Sequence, residues 1–259
     1  MSLAPLPPSA LSFLDFYLPP KSHPNLFTTL TYAASLDSRI SLGPGLRTTL
    51  SGPESKTMTH YLRSHHDAIL VGAGTFVADN PGLNCQYPPA DTKNALECSP
   101  LPVVLDPGFG IEITQQSKVL LNAAQGIGKY PVVLVSEDRY LAFPDKISKL
   151  KLLGVRVLTI HNLSSQTSRS KSWKLIQNTL QHELNVKSVM VEGGAEVIND
   201  LLLASHNEDA TVNSVIITIA PVYLGKGGVQ VAPSLPLDRL TNTKWESFGR
   251  DVVMVSGVR

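Results

Sequence analysis

Two short stretches carry residue types that can hold a phosphorylated ligand. Residues 71–85 read "VGAGTFVADNPGLNC", in which Thr75 and Asp79 are set among Gly72, Gly74, Asn80, Pro81 and Gly82. Glycines let a ligand lie against the main chain, and the threonine and aspartate would then orient it. The other reading is that Asp79-Asn80-Pro81-Gly82 is an ordinary turn. Residues 188–202 read "SVMVEGGAEVINDLL", a strand ending at Glu192, a Gly193-Gly194 turn and a helix from about Ala195. Free N–H groups and the helix dipole at such a turn can cradle a pyrophosphate, although the spacing is not the GxGxxG dinucleotide fingerprint.

Other motifs point to less chemistry. "YLGKGG" (223–228) lacks Walker A spacing and a following Ser or Thr. His65 and His66 are adjacent, so on a helix they point in different directions and make a poor metal pair. Cys85 and Cys98 have no metal-ligand spacing and are too few for a disulfide framework, which favours free thiols in a reducing compartment. No H-x-E with a following P-C-x-x-C is present, so zinc deaminase chemistry is not expected.

The elements that must position these residues alternate along the chain. Segment 26–35 is rich in β-branched and aromatic residues, and 68–72, 102–106, 131–136, 155–160, 188–194 and 214–220 are short, nearly continuous apolar runs, the pattern of strands buried on both faces. Helical spacing is present in 172–184 and 195–205. It is also present in 51–65, where Met58, Tyr61, Leu62 and His65 share a face and Ser51 with Glu54 forms a capping-box pattern. Alternating strands and helices predict an α/β fold with a mostly parallel central sheet, and "WESFGRDVVMVSGV" predicts a final strand pair turning at Gly249. The stretches 86–100 and 161–172 read as loops too short to divide domains. One domain over 26–259, preceded by an extension over 1–25, is expected.

Composition narrows the partner. The chain has 259 residues, 42% hydrophobic, with a net charge of +1, enough to bury a substantial core without a basic stripe for nucleic acid or membrane. The first twenty residues lack a basic region and a long apolar run, and a cytoplasmic location is expected. A small molecule is the expected ligand.

Taken with "TYAASLDSRIS" (31–41), the two opening stretches resemble, in order and spacing, the pyrimidine reductases of riboflavin biosynthesis, whose fold is dihydrofolate-reductase-like. The resemblance runs from about Thr28 to the C-terminus and is closest to the stand-alone, fungal-type enzymes. It implies a homodimer that uses NADPH to reduce the ribosyl group of a 5′-phosphorylated ribosylaminopyrimidine, with the 2,5-diamino form preferred over its deaminated counterpart. Two alternatives stay open: a reductase of this fold acting on another pterin- or pyrimidine-like substrate, and a non-catalytic nucleotide-binding protein.

By the same resemblance, Ala33 lies against the nicotinamide, and Thr49, Thr75 and Asp79 contact the cofactor. Gly193, Gly194, Ala195, Glu196 and Val197, within a segment reaching Asp200, wrap the pyrophosphate. Arg63, late in the 53–65 helix, contacts phosphate or ribose, with Arg47, Leu83 and Gln86 near the same substrate. Without the resemblance Arg63 reads as a solvated helix face. Glu192 faces the substrate and can accept hydrogen bonds from an amine or ribose hydroxyls. Bacterial members tend to have a lysine where this chain has Thr31 and Tyr32, and a glycine where Ser38 follows Asp37. The proton donor is therefore open among Asp37, Glu192 and a bound water.

Overall fold

The computed structural model describes residues 3, 5–87, 94–161, 163, 169–206, 212–238 and 240–258. The chain opens with α1 (Pro8–Asp15), β1 (Phe27–Ser35), β2 (Arg39–Ser41), α2 (Pro53–Arg63), β3 (Ala68–Gly72), α3 (Ala73–Asp79) and the short α4 (Ala95–Cys98). It continues through β4 (Leu101–Leu105), α5 (Lys118–Ala124), β5 (Val132–Ser136), α6 (Glu137–Ala142), α7 (Pro144–Leu152) and β6 (Arg156–Ile160). It ends with α8 (Arg169–Glu183), β7 (Ser188–Gly193), α9 (Ala195–His206), β8 (Ser214–Ala220), β9 (Val229–Gln230), β10 (Leu240–Phe248) and β11 (Asp251–Val258).

Nine strands form one sheet in the order β10-β11-β8-β1-β7-β3-β4-β5-β6. From β8 to β6 every pairing is parallel, and β11 and β10 add antiparallel strands at one edge. This is the expected mostly parallel α/β sheet with an antiparallel C-terminal pair. The turn between β10 and β11 uses Gly249 at φ +62°, where an added Cβ would strike the Glu54 carboxylate.

The apolar runs are continuous because both faces of the sheet are covered. Leu70, Val103, Leu134 and Val191 pack on one face with Trp173 and Ile176 of α8 and Ile198 and Leu201 of α9. Ile69, Val71, Val104 and Val133 face the other way, against Phe76, Leu120 and Leu150. A third cluster joins Phe13, Leu14 and Tyr17 to Met58, Tyr61 and Leu62 of α2 and to Val253 and Val255 of β11. The N-terminal segment is thus packed against the sheet rather than extended from it.

Three local expectations change. The glycine-rich stretch after β3 is not a loop: residues 73–79 form α3, anchored by buried Phe76 and ended by Asn80 in the left-handed conformation (φ +43°). The capping box at α2 does not form, because the N-cap is Gly52 and no side chain of the helix caps it. Instead Asp251 of β11, 1% exposed, accepts hydrogen bonds from the Gly52 N–H and the Ser55 hydroxyl, both at 2.7 Å. A buried carboxylate from a distant strand satisfies the helix start better than a solvated Ser-Glu pair. Of the two expected loops, 88–93, 162 and 164–168 lie outside the described residues, while 95–98 forms α4 and α8 begins at Arg169.

The paired histidines are structural. His66 donates from Nδ1 to the Leu62 carbonyl (2.7 Å) and accepts at Nε2 from the Thr29 hydroxyl (2.8 Å). No helix among the described residues is long and apolar enough to cross a membrane.

Candidate active site

A cleft of about 1770 Å³ opens across the carboxyl ends of β1, β7, β3, β4 and β5. Ligands of open α/β sheets bind at that end, where glycines and helix starts cluster. Ala33, Arg47, Thr49, Arg63, Thr75, Asp79, Leu83, Gln86, Glu192, Gly194, Ala195, Glu196 and Val197 all border it.

Both opening stretches meet in its middle. Thr75 and Asp79 are four residues apart on α3, so they share one helix face. Gly194, at φ +58°, brings its α-carbon so close to α3 that an added Cβ would lie 2.8 Å from the Thr75 hydroxyl oxygen. The two backbones converge on one cradle beside the first turn of α9. Burial pushes the Asp79 carboxyl above its usual pKa, a rise opposed by the charges of Arg47 and Lys118.

Glu192 reaches the cleft through a slip in the sheet. On β3, Leu70 pairs with Val191 and Val71 with Gly193, so Glu192 is left out of the ladder and its side chain is re-aimed. It meets Arg63 in a two-point ion pair, Nε to Oε1 at 2.7 Å and Nη2 to Oε2 at 2.6 Å, while Nη1 donates to the Asn84 carbonyl at 3.0 Å. With side chains 13% and 17% exposed, the pair is sheltered and mutually neutralised. Arg63 is therefore neither a solvated residue nor a guanidinium with a free fork.

Leu83 adopts φ +53° and turns its side chain into the core with Ile69 and Phe76, leaving its backbone at the cleft edge. The Gln86 N–H donates to Nδ1 of His60 at 3.1 Å. Thr31 and Tyr32, at the lysine position of the bacterial pattern, also border the cleft. Burial pushes the Tyr32 phenol up to about 12, so it remains a neutral hydroxyl.

Two expected residues lie elsewhere. Gly193 packs toward Ile198, beneath the cleft surface. Asp37 does not border the cleft: its carboxylate accepts from the Ser35 hydroxyl (2.6 Å) and from the Leu224 and Gly225 N–H groups (3.0 and 2.8 Å). Those bonds, the Ser35 hydroxyl first, hold its pKa down at about 2. Held by these three donors, Asp37 is a clamp for the 223–225 turn. Two of the "YLGKGG" residues, Leu224 and Gly225, are thereby tied to Asp37.

Apart from Arg63, no residue on the polar face of α2 belongs to a motif named above. Lys56, Thr59, His60 and Arg63 line the cleft at helical spacing, opposite the apolar face of Met58, Tyr61 and Leu62. Had both faces of the helix been read, the pattern at 56, 59, 60 and 63 would have marked them. Burial, followed by the charges of Arg63 and Lys56, pulls the His60 pKa down to about 3, so the imidazole is neutral. Cleft residues after β4 and β5, among them Asp106, Gly108 and Arg139, carried no motif at all.

Comparison with known proteins gives the family. The RibD C-terminal domain family matches residues 27–254. A 2,5-diamino-6-ribosylamino-4(3H)-pyrimidinone 5′-phosphate reductase from Saccharomyces cerevisiae is 41% identical over 260 residues, covering 98% of this chain and 97% of that protein. The enzyme of the same name from Debaryomyces hansenii is 41% identical over 256 residues, covering 98% of each. A solved riboflavin biosynthesis reductase from Saccharomyces cerevisiae superposes with a TM-score of 0.76 at 37% identity, covering 97% of this chain and all of that one. With a match running from β1 into β11 and relatives alike from end to end, the chain belongs to the RibD C-terminal domain family of riboflavin-pathway pyrimidine reductases.

Proposed function

We propose that this chain reduces the ribosyl group of 2,5-diamino-6-ribosylamino-4(3H)-pyrimidinone 5′-phosphate to a ribityl group, with NADPH as the reductant. The observation that carries the reading is identity of 41% over 98% of the chain with a reductase named for that substrate. The fit of the cleft supports the cofactor. Gly194 leaves open the volume that a Cβ would fill beside Thr75, and the free N–H groups of residues 195–197 at the start of α9 suit a diphosphate. When bound there, NADPH would supply the hydride for the first ribose carbon, as aldehyde or imine, with the accompanying proton drawn from solvent.

The chain's own residues bind and orient. Ala33, at the end of β1, offers a small side chain where a flat ring must lie, with Thr49 beside it. Thr75 and Asp79 supply directional contacts from one face of α3, and Ala195, Glu196 and Val197 complete the turn. Arg47 and Lys56 offer positive charge for the 5′-phosphate, and Leu83 and Gln86 border the substrate. Arg63 fixes the Glu192 carboxylate by two hydrogen bonds, and each carboxylate oxygen keeps a lone pair for an exocyclic amine or a ribose hydroxyl. Rigid placement of an acceptor favours one substrate pose. A homodimer belongs to the same reading, and sedimentation measures it.

The test is NADPH oxidation with the diamino pyrimidine and with its deaminated counterpart, in wild type and Glu192→Gln. We expect kcat/KM to favour the diamino form by roughly 5- to 150-fold, the value of one buried polar group left without its partner. No oxidation with either pyrimidine would overturn the reductase reading. Equal wild-type values would defeat the preference, and an unchanged ratio in Glu192→Gln would remove Glu192 as its reader.

A further inference from the structure

The order of strands acts as a ruler along the cleft. Neighbouring strands lie about 4.8 Å apart, so the step from β1 through β7, β3 and β4 to β5 spans roughly 19 Å, comparable with an extended dinucleotide. With the nicotinamide end at Ala33 on β1 and the diphosphate at Gly194 and Thr75 beyond β7 and β3, the adenosine end falls at the tips of β4 and β5. There the cleft is bordered by Asp106 and Gly108 after β4, and by Ser136, Asp138 and Arg139 after β5.

Five cations among the described residues border the cleft: Arg47, Lys56, Arg63, Lys118 and Arg139. Arg63 is taken by Glu192, Arg47 and Lys118 act on Asp79, and Lys56 lies on α2. Arg139 alone follows β5. Among the described residues its guanidinium makes no hydrogen bond, and its ion pair with exposed Asp138 is long, at 3.8 Å. The fork is free for a ligand.

A strand-tip carboxylate would read an unmodified ribose through its hydroxyls, whereas an arginine suits a ribose that carries a phosphate. Asp106 is buried and turned inward, its Oδ2 accepting from the Ile111 N–H at 2.9 Å. Its geometry serves the loop rather than a nucleoside. Resting on the reductase reading of the cleft, we propose that Arg139 pairs with the 2′-phosphate of the cofactor's adenosine and selects NADPH over NADH. The planar guanidinium can meet two phosphate oxygens at once, and an exposed position allows it to close over the ligand.

The experiment uses nucleotide fragments, so it does not depend on turnover. Calorimetric titration compares adenosine 2′,5′-bisphosphate with adenosine 5′-monophosphate on wild type, Arg139→Ala, Arg139→Lys and Lys118→Ala, with thermal melts confirming that each variant is folded. We expect wild type to bind the bisphosphate roughly ten- to a hundredfold more tightly, the scale of charge-assisted hydrogen bonds. Arg139→Ala should erase the difference, Arg139→Lys should keep part of it, and Lys118→Ala should keep it all. A wild type without preference, or a preference that survives in Arg139→Ala, overturns the proposal. A protein that prefers the bisphosphate through Arg139 yet oxidises no NADPH with either pyrimidine would leave this proposal standing and defeat the reductase reading instead.

Discussion

Gly194 shows how one absent atom can shape a binding site. Its φ of +58° is costly for any residue with a Cβ, and the Cβ would also press on the Thr75 hydroxyl oxygen at 2.8 Å. Gly194→Ala should therefore cost about 1–2 kcal/mol in the left-handed conformation alone. We expect NADPH affinity to fall by about tenfold or more, because both the turn and Thr75 must shift. Thr75→Val, which keeps the backbone but removes the hydroxyl, should weaken binding with little change in Tm. Titration and thermal melts of the two variants separate the effects, and wild-type affinity in both would return the turn to a purely structural role. Arg63 and Glu192 teach a related lesson. Each was expected to meet the substrate on its own, yet they form one unit with Asn84, and the function of either depends on the other.

At the scale of elements, α2 forms one wall of the cleft and its position is set from outside the helix. Asp251 holds its first turn, and the neighbouring Arg250 donates to the Leu50 carbonyl at 2.8 Å, so the β10–β11 turn grips both sides of residues 50–55. Asp251→Ala would leave the buried Gly52 N–H and Ser55 hydroxyl without their acceptor. Loss of about 1–3 kcal/mol is expected. Because Lys56, His60 and Arg63 ride on α2, KM for the pyrimidine should rise more than KM for NADPH. Asp251→Asn, which retains one acceptor oxygen, should recover part of both. Equal changes in the two KM values would show that the hairpin supports the fold generally and not this wall in particular.

At the scale of the molecule, the acid limb of stability follows from two buried histidines. Burial holds the pKa of His66 at about 4 and that of His60 at about 3, while both are near 6.5 in the unfolded chain. Between those values the unfolded state binds the extra protons, so stability is full above pH 6.5 and is lost as pH falls. For His66 alone the loss approaches about 3 kcal/mol by pH 4. Tm measured against pH should drop through this window. His66→Gln, which can still bond the Leu62 carbonyl and Thr29, should flatten part of that slope, and an unaltered slope would place the proton uptake elsewhere.

Elements whose cause is local are legible in the amino-acid order alone. Segments 68–72 and 214–220 matched β3 and β8 end to end, and 195–205 matched α9 to within one residue, because an apolar run buried on both faces or a helical stripe is written in consecutive residues. The glycine turn after β7 and the face of α3 that holds Thr75 and Asp79 were visible for the same reason, even though α3 was read as a loop. Contacts between residues far apart in the chain arise only on folding. Glu192 meets Arg63 across 129 positions and Asp251 caps α2 across 199 and 196. The slip that frees Glu192 exists only once β7 lies beside β3. The small helices α5, α6 and α7 went unassigned because six to nine residues carry too little periodicity to stand out before they pack. Sequence shows a carboxylate at Asp37, and only the fold shows that three donors hold it. Propensity and burial pattern act along the chain, whereas hydrogen bonds and ion pairs act across it, and the second set chose which of the visible side chains face the cleft.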